Sequence, residues 1–282
     1  MAYATEFATE LNSIVTPGRQ AMSSGPLSDA EIAQFDSDGY LFLPGLFDAE
    51  EMEILLRYAK GDDALAAGAY GRKDATGTET KLALWNHPGD DLYGMFSRSR
   101  RIVDRCEQLL RGEVYHWHSK MMLKEPRVGG AWEWHQDYGY WYNNGCLYPL
   151  LVSCLISVDR ATRQNGCLQV LKGSHHLGRV NHATTGDQTG AEMDRVDQAI
   201  KRHELVYVES QPGDAIIFHC NLLHRSDQNR SPDPRWSLIC CYNAARNDPY
   251  VESRHPRYTP LKKVPDSAVK AWAADHMRDI KA

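Results

Sequence analysis

The chain has 282 residues, of which 42% are hydrophobic and 24% charged, a composition typical of a soluble globular protein with one main core. Its formal net charge of -5 provides no overall basic field, so we expect no nucleic-acid partner. No apolar run approaches the roughly 20 residues that span a bilayer. Because the start of the sequence also lacks a basic and apolar leader, we expect a cytoplasmic protein, monomeric or homodimeric, with no membrane partner.

The first part of the sequence predicts helices. Residues 1–26 contain several Gly and Pro residues and are interpreted as an N-terminal arm, whereas residues 27–282 are expected to form a single domain whose helical part spans 27–112. Ser28 stands three residues before Glu31, the capping-box spacing, which predicts a short helix. A strand, a second helix, a segment rich in Gly, Asp and Thr, and a third helix are predicted at residues 40–47, 48–60, 61–95 and 97–110.

From residue 113 the sequence consists of short apolar or alternating runs separated by Gly, Pro and Asn, the pattern of β-strands. The runs are VYHWHSKMMLK, LLVSCLISVD, CLQVLKG, LVYVES, AIIFHCNLLH and RWSLICCYN. They predict a mainly β fold with flanking helices, a barrel or jelly roll with its core at about residues 113–250 and a C-terminal extension at 251–282. The seven cysteines lie mostly in apolar stretches and lack CxxC spacing, which predicts reduced core residues.

The segment GGAWEWHQDYGYW is the first candidate for chemistry. It places His135 and Asp137 two residues apart, so on an extended strand both side chains point to the same face. Together with a histidine from a distant strand, such a pair forms the facial triad that binds iron(II) and leaves coordination positions open. The chain has 12 histidines, so an HxD pair alone is weak evidence, and a surface or hydrogen-bonded pair is the alternative.

A second motif follows the predicted strand PGDAIIF. Its sequence HCNLLHRSDQN contains His224 and, two residues later, Ser226, and Arg235 lies eleven residues beyond His224 at the start of another apolar run. The planar guanidinium of an arginine matches a carboxylate group through two parallel hydrogen bonds. His219 lies five positions before His224, so on a regular strand it faces the opposite way. Two further alternatives, which share one strand face, are His116 and His118.

The ordered set of HxD, GD-(strand)-H-x-S-x-x-N and an arginine eleven residues after the histidine resembles the phytanoyl-CoA dioxygenase family, which includes ectoine hydroxylase. The similarity also takes in NGCLQVLKGSHHLG and DGYLFLPGLFDAEE, and it covers about residues 27–250. The resemblance implies a double-stranded β-helix, a jelly roll of the cupin type, that binds Fe(II) and uses 2-oxoglutarate and O2 as cosubstrates. It implies His135, Asp137 and His224 as the metal ligands.

The resemblance also assigns residues to the cosubstrate. It places Arg235 and Ser226 at the distal carboxylate of 2-oxoglutarate, and Ser153 and Met122 at positions that line the cosubstrate pocket, although a polar side chain is common where Met122 stands. Family members couple the conversion of 2-oxoglutarate to succinate and CO2 to oxidation of a second substrate. The carboxylate of Asp137 favours hydroxylation, because related halogenases have a small residue there.

The sequence says less about the substrate. Six aromatic residues lie between Trp132 and Tyr142, and they either pack the mouth of the barrel or form a cage for an ammonium group through cation–π attraction. The candidate substrate contacts in and near this region are Trp141, Tyr140, Tyr138 and Lys120.

A basic stretch follows at residues 172–182 and is either a solvated loop or an anion site, with Arg179 as the candidate contact. A cage and an anion site together predict a small-molecule substrate that is a zwitterion, such as an ammonio-alkylphosphonate or an amino-acid-like osmolyte. The alternatives are an acyl-CoA or lipid-like substrate, a redox-silent cupin-type metal isomerase or lyase, and a non-catalytic binding protein. Residues 180–202 form either a lid or a disordered loop.

Overall fold

The computed structural model describes residues 25–277, so nearly all of the predicted N-terminal arm lies outside the described residues. Within this range every helix is too short or too polar to cross a membrane. The helices are α1 (Asp29–Asp38), α2 (Ala49–Lys60), α3 (Asp63–Gly68), α4 (Leu92–Ser97), α5 (Arg100–Leu110), α6 (Tyr138–Trp141), α7 (Met193–Ile200) and α8 (Ala268–His276). Short 3₁₀ turns occur at Ser174–Leu177 and Ala245–Asn247.

The strands form two antiparallel sheets and a separate hairpin. In chain order they are β1 (Tyr40–Leu43), β2 (Tyr70–Lys73), β3 (Glu79–Trp85), β4 (Val114–Lys124), β5 (Trp132–His135), β6 (Leu151–Ser157), β7 (Leu168–Leu171), β8 (His182–Thr185), β9 (Gln188–Ala191), β10 (Leu205–Val208), β11 (Ala215–His219), β12 (His224–Ser226) and β13 (Arg235–Ala244). The larger sheet has the order β1-β11-β6-β13-β4-β3-β2, the smaller one β10-β7-β12-β5, and β8 pairs with β9. The predicted jelly roll with flanking helices is confirmed.

The N-terminal helices begin where the sequence predicts. Ser28 caps α1 through the predicted capping box with Glu31, and Asp48 caps α2 in the same way with Glu51. Helix α5 is amphipathic, and its buried residues lie in one apolar cluster with residues of β4, β6 and β13. The helices therefore cover the outer face of the larger sheet and leave the space between the two sheets for a second core.

That second core lies between the sheets and forms the surroundings of the site. It contains large buried side chains from both sheets, including Trp117, Phe218 and Val170. All seven cysteines are free and buried, as their apolar sequence context predicts.

Two segments contain hairpins that were not predicted. Residues 61–95, described from the sequence only as rich in Gly, Asp and Thr, contain the hairpin β2–β3, which extends the larger sheet beside β4. Residues 180–202 form the hairpin β8–β9 and helix α7, so the alternative of a disordered loop is wrong, and β9 packs on β5. One strand of each hairpin, β2 and β8, has four residues and no buried side chain, so it shows no alternation of apolar and polar residues.

Candidate active site

The candidate metal ligands come from two neighbouring strands of the smaller sheet. His135 on β5 and His224 on β12 are direct cross-strand partners, and their ring centroids lie 4.0 Å apart. The Oδ1 atom of Asp137 lies 3.7 Å from Nε2 of His135 and 4.0 Å from Nε2 of His224. All three side chains are buried, and among the described residues they are the group of three or more potential ligands whose donor atoms lie within 4.8 Å of one another.

The backbone around the HxD motif differs from the predicted extended strand. Strand β5 ends at His135, and Asp137 has helical backbone angles at the start of α6. The middle residue, Gln136, is fully buried and makes hydrogen bonds to the backbone of Gly178, Asn221 and Val180. The two side chains thus converge because the chain turns at a residue anchored on its far side, and the prediction that both lie on one strand is wrong.

A hydrogen bond at Nδ1 fixes the tautomer of each candidate histidine ligand. Nδ1 of His135 lies 2.8 Å from the carbonyl oxygen of Glu133, and Nδ1 of His224 lies 2.9 Å from that of Leu222. A carbonyl only accepts, so each Nδ1 carries the proton and each Nε2 presents its lone pair towards Asp137. Burial lowers the pKa of both histidines, which keeps them neutral. Neutral imidazoles with a free Nε2 are the form that binds a metal ion.

The carboxylate of Asp137 is held in place by two hydroxyl groups. Ser153 Oγ donates to Oδ2 at 2.6 Å, and the phenol of Tyr140 donates to Oδ1 at 3.4 Å. Burial and then the charge of Asp137 raise the pKa of Tyr140, so the phenol stays protonated and remains a donor. Ser153, predicted to line the cosubstrate pocket, is completely buried and does not line the cavity next to the triad; its hydroxyl bonds to Asp137 instead.

A cavity of about 40 Å³ adjoins the triad, and Arg235, Ser226 and Met122 line it as the resemblance implies. Nε and Nη2 of Arg235 donate to the carbonyl oxygen of Gly166 at 3.1 and 2.7 Å, and Nη1 donates to Ser237 Oγ at 3.2 Å. Burial lowers the pKa of Arg235 to about 10, so it remains charged at neutral pH. It makes no ion pair with a carboxylate within residues 25–277.

A buried lysine lies beside Arg235. Lys124 on β4 is the cross-strand partner of Arg235 on β13, and only 1% of it is exposed. Its Nζ atom donates to Ser226 Oγ at 2.9 Å and to the carbonyl oxygen of Asp227. Burial and then the charge of Arg235 hold the pKa of Lys124 well below its usual range, which favours the neutral amine. Sequence reasoning missed this residue, because a lysine at the end of a strand normally faces solvent.

A larger cavity of about 240 Å³ begins where the small one ends, since Lys120 and Trp132 line both. Its aromatic wall includes Tyr140 and Trp141, two of the predicted substrate contacts. Its polar wall includes His118, one of the alternative metal ligands, and three residues that sequence reasoning did not connect with the site, Arg72, Arg254 and His255.

Two predicted substrate contacts lie elsewhere. The hydroxyl of Tyr138 donates to the carbonyl oxygens of Cys146 and Leu147, so this ring is held in the core and does not line the cavity. The guanidinium of Arg179 stacks on Tyr142 and lines a separate cleft.

The other basic residues near Arg179 are also engaged outside the cavity. Lys172 pairs with Asp38, His175 stacks on His176, and His182 Nε2 accepts a hydrogen bond from the backbone N–H of Gln136. This stretch does not form an anion site at the cavity.

The alternative histidine ligands also lie away from the triad. His219 packs against Phe35 and His175 on the far side of β11, as the five-residue spacing predicts. His116 is bonded to Asn86 and Ser119, which satisfy both its ring nitrogens.

Comparison with known proteins adds independent evidence to this geometry. The model of the phytanoyl-CoA dioxygenase (PhyH) family matches residues 35–237. The chain is 29% identical to the ectoine dioxygenase of Halomonas elongata over 93% of this chain and 82% of that protein. It is 28% identical to the L-proline trans-4-hydroxylase of Streptomyces griseoviridis over 83% and 92%, respectively.

Solved structures agree. EctD from S. alaskensis with bound Fe superposes with a TM-score of 0.71 and 25% identity over 85% of this chain and 88% of that one. The same protein has been solved with 2-oxoglutarate and 5-hydroxyectoine. The His135–Asp137–His224 geometry fits Fe, and the chain is an iron- and 2-oxoglutarate-dependent dioxygenase. It belongs to the phytanoyl-CoA dioxygenase family.

Proposed function

We propose that the protein hydroxylates a small, zwitterionic, amino-acid-like molecule and converts 2-oxoglutarate to succinate and CO2 in the same turnover. The observation that carries this proposal is the pair of joined cavities. The smaller contains the triad and a buried arginine without an anionic partner, and the larger has room for a small metabolite next to it.

In this proposal His135, Asp137 and His224 bind Fe(II). Two neutral imidazoles and one carboxylate occupy one side of the ion and leave the other side to cosubstrates. When bound, iron supplies the redox chemistry with O2 that amino-acid side chains lack. The protein contributes orientation: the backbone carbonyls fix the imidazoles, and Ser153 and Tyr140 fix the carboxylate.

The cosubstrate assignment rests on uncompensated charge. Arg235 is almost fully buried, keeps its charge at neutral pH and has no carboxylate bonded to its guanidinium group. Burying a cation is costly unless an anion accompanies it, so the cavity is electrostatically incomplete without one. The distal carboxylate of 2-oxoglutarate is the proposed anion, with Arg235 and Ser226 as its contacts. Met122 supplies an apolar wall and no hydrogen bond.

The size of the larger cavity favours a small substrate. At about 240 Å³ it lies below the range of roughly 300–1,000 Å³ of pockets that enclose drug-sized ligands, so a coenzyme A thioester is disfavoured. Two of the relatives are named for activity on ectoine and L-proline, which are small amino-acid-like molecules. The rings of Tyr140 and Trp141 are proposed to face the ammonium end of the substrate.

A redox-silent metal isomerase or lyase fits less well. Such an enzyme has use for the three ligands but none for a buried arginine without an anionic partner in the same cavity.

The test is a screen of small zwitterions, including L-proline and ectoine, with enzyme reconstituted anaerobically with Fe(II) and then given 2-oxoglutarate and O2. We expect succinate release that depends on one of these molecules, with hydroxylated product in equal amount. Asp137→Ala and His224→Ala should abolish release, and His219→Ala, the matched control, should retain it. Substrate-dependent release with acyl-CoA thioesters alone, or turnover without consumption of O2, would contradict the proposal.

A further inference from the structure

The larger cavity has an unusual distribution of charge. Arg72 on β2, Lys120 on β4 and Arg254 in the segment after β13 all line it, whereas the carboxylate of Asp187 is the one acidic group in its wall. Within the described range, none of the three cations forms an ion pair with a carboxylate; Arg72 lies over the ring of Tyr70 and has a long contact of 3.5 Å to the backbone carbonyl of Asp187. Three cations drawn from distant parts of the chain thus converge on a cavity whose wall has a single carboxylate.

Buried imidazoles lie beside these cations. His118 is 3% exposed, and neither of its ring nitrogens has a hydrogen-bond partner in the protein; His255 is 6% exposed, and its Nδ1 also lacks one. The two rings lie 5.1 Å apart. Leaving a buried polar atom unpaired is unfavourable, so such atoms in a cavity wall indicate a missing ligand group.

The rings themselves are held firmly by aromatic neighbours. Trp117 stacks on His255 at a centroid distance of 4.6 Å, and Trp141 packs edge-on against His118 at 5.6 Å. Burial, then the positive charges of Lys120 and other neighbours, lowers the pKa of His118, so the imidazole is neutral and has one N–H to donate. These groups are therefore positioned before any ligand arrives.

Strand β4 relates this wall to the reacting centre. His118, Lys120 and Met122 are alternate residues of the strand. His118 lines the larger cavity, Met122 lines the smaller one, and Lys120 between them lines both. Alternate residues of a strand lie about 7 Å apart, so the path from His118 to Met122 spans roughly 13 Å. Lys120 lies midway and lines both cavities, so a molecule held at the His118 end needs to extend about 7 Å along the strand to enter the smaller cavity.

We infer that Arg72, Lys120 and Arg254, with the neutral imidazole of His118, form an oxyanion site that binds the anionic group of the substrate. The ligand chemistry is that of a carboxylate or a phosphonate, both of which present several acceptor oxygens to these donors. This inference rests on the proposed function and adds the orientation of its substrate: the anionic end at the Arg72 side and the oxidised carbon towards Asp137. An uncharged or purely cationic molecule would bring no negative charge to Arg72, Lys120 and Arg254.

The test is calorimetric titration of the full chain, loaded with Fe(II) and 2-oxoglutarate without O2, with acetate, methylphosphonate and, as a neutral match for acetate, acetamide. We expect both oxyanions to bind and acetamide not to bind. Arg72→Gln and Arg254→Gln should each raise the Kd of the oxyanions about tenfold, the effect of losing one charge-assisted hydrogen bond. Arg72 is half-buried on an edge strand and Arg254 is exposed, so both variants are expected to fold.

The matched control is Arg202→Gln, which removes the same charge from a separate cleft and should leave the oxyanion Kd unchanged. The inference is overturned if the wild type binds neither oxyanion, or if Arg72→Gln and Arg254→Gln bind them as tightly as the wild type does. Binding of 2-oxoglutarate, titrated beforehand in the same samples, reports on the proposed function alone. Neither Arg72 nor Arg254 lines the smaller cavity, so the Kd of 2-oxoglutarate should be unchanged in both variants.

Discussion

Replacing Arg235 by Ala removes the proposed partner of the distal carboxylate of 2-oxoglutarate. In the structure this guanidinium is 5% exposed and is already oriented by Gly166 and Ser237, so little ordering is needed when a carboxylate binds. Losing a charge-assisted, bidentate contact in a shielded cavity costs about 2 to 4 kcal/mol, which corresponds to a roughly 30- to 1,000-fold rise in the Kd of 2-oxoglutarate.

The assay is anaerobic titration of the Fe(II) enzyme with 2-oxoglutarate. Arg235→Lys keeps the charge but not the planar fork, so it should fall between the wild type and Arg235→Ala. Arg230→Ala, which removes an exposed charge five residues away, is the control and should not change the Kd. An Arg235→Ala protein that folds and binds 2-oxoglutarate as tightly as the wild type would refute the argument from uncompensated charge.

Three further outcomes are expected. Ser153→Ala removes the 2.6 Å hydrogen bond to Asp137 and should weaken Fe(II) binding about 10- to 100-fold in a metal titration, whereas unchanged affinity would show that Asp137 is oriented without it. Lys124→Met removes the hydrogen bond from Nζ to Ser226, a proposed contact of the distal carboxylate, and should weaken 2-oxoglutarate binding. Because burial lowers the pKa of Lys124 and so costs folding free energy at neutral pH, urea stability of the ligand-free variant should be equal or higher, and a marked loss of stability would contradict this. Burial lowers the pKa of His116 to about 4, so the unfolded chain takes up a proton first as pH falls. The contribution of neutral His116 to the free energy of unfolding is complete above pH ~6.5 and declines by about 1.4 kcal/mol per pH unit until about pH 4. His116→Gln should therefore show a shallower fall in unfolding free energy between pH 6.5 and 5, and an unchanged slope would exclude His116.

The sequence carried enough information for the core and the ligands. Runs of apolar residues predict strands wherever both faces are buried, as on β6. The five-residue spacing shows that His219 and His224 face opposite ways, and the motif that follows His224 selects it. The position of Asp137 was predicted correctly for the wrong reason. Its side chain reaches the triad through a turn anchored by Gln136, and a buried glutamine leaves no periodic signal in a sequence.

The substrate wall was harder to predict because it is assembled from segments far apart in the chain. Arg72 comes from a short edge strand and Arg254 from an irregular segment, and neither lies in an apolar run or near a motif. The basic stretch around Arg179 was predicted to be an anion site because its charges are adjacent in the sequence, but Arg179 lines a separate cleft. The cations of the cavity wall are distant in the sequence and come together only in the folded chain.

The pairing of β5 with β12 has a consequence for the protein without iron. Strand β5 is the edge of its sheet, joined to β12 through an irregular register, and the two proposed imidazole ligands face each other across that pair. A bound ion would therefore cross-link this irregular border, and at a hundredfold excess over its Kd it would stabilise the folded protein by about 2.7 kcal/mol. Trp132 and Tyr140 belong to the same segment, so iron loading and the shape of the substrate cavity are coupled. Amide exchange of residues 132–141 should slow when iron binds, before any substrate is added.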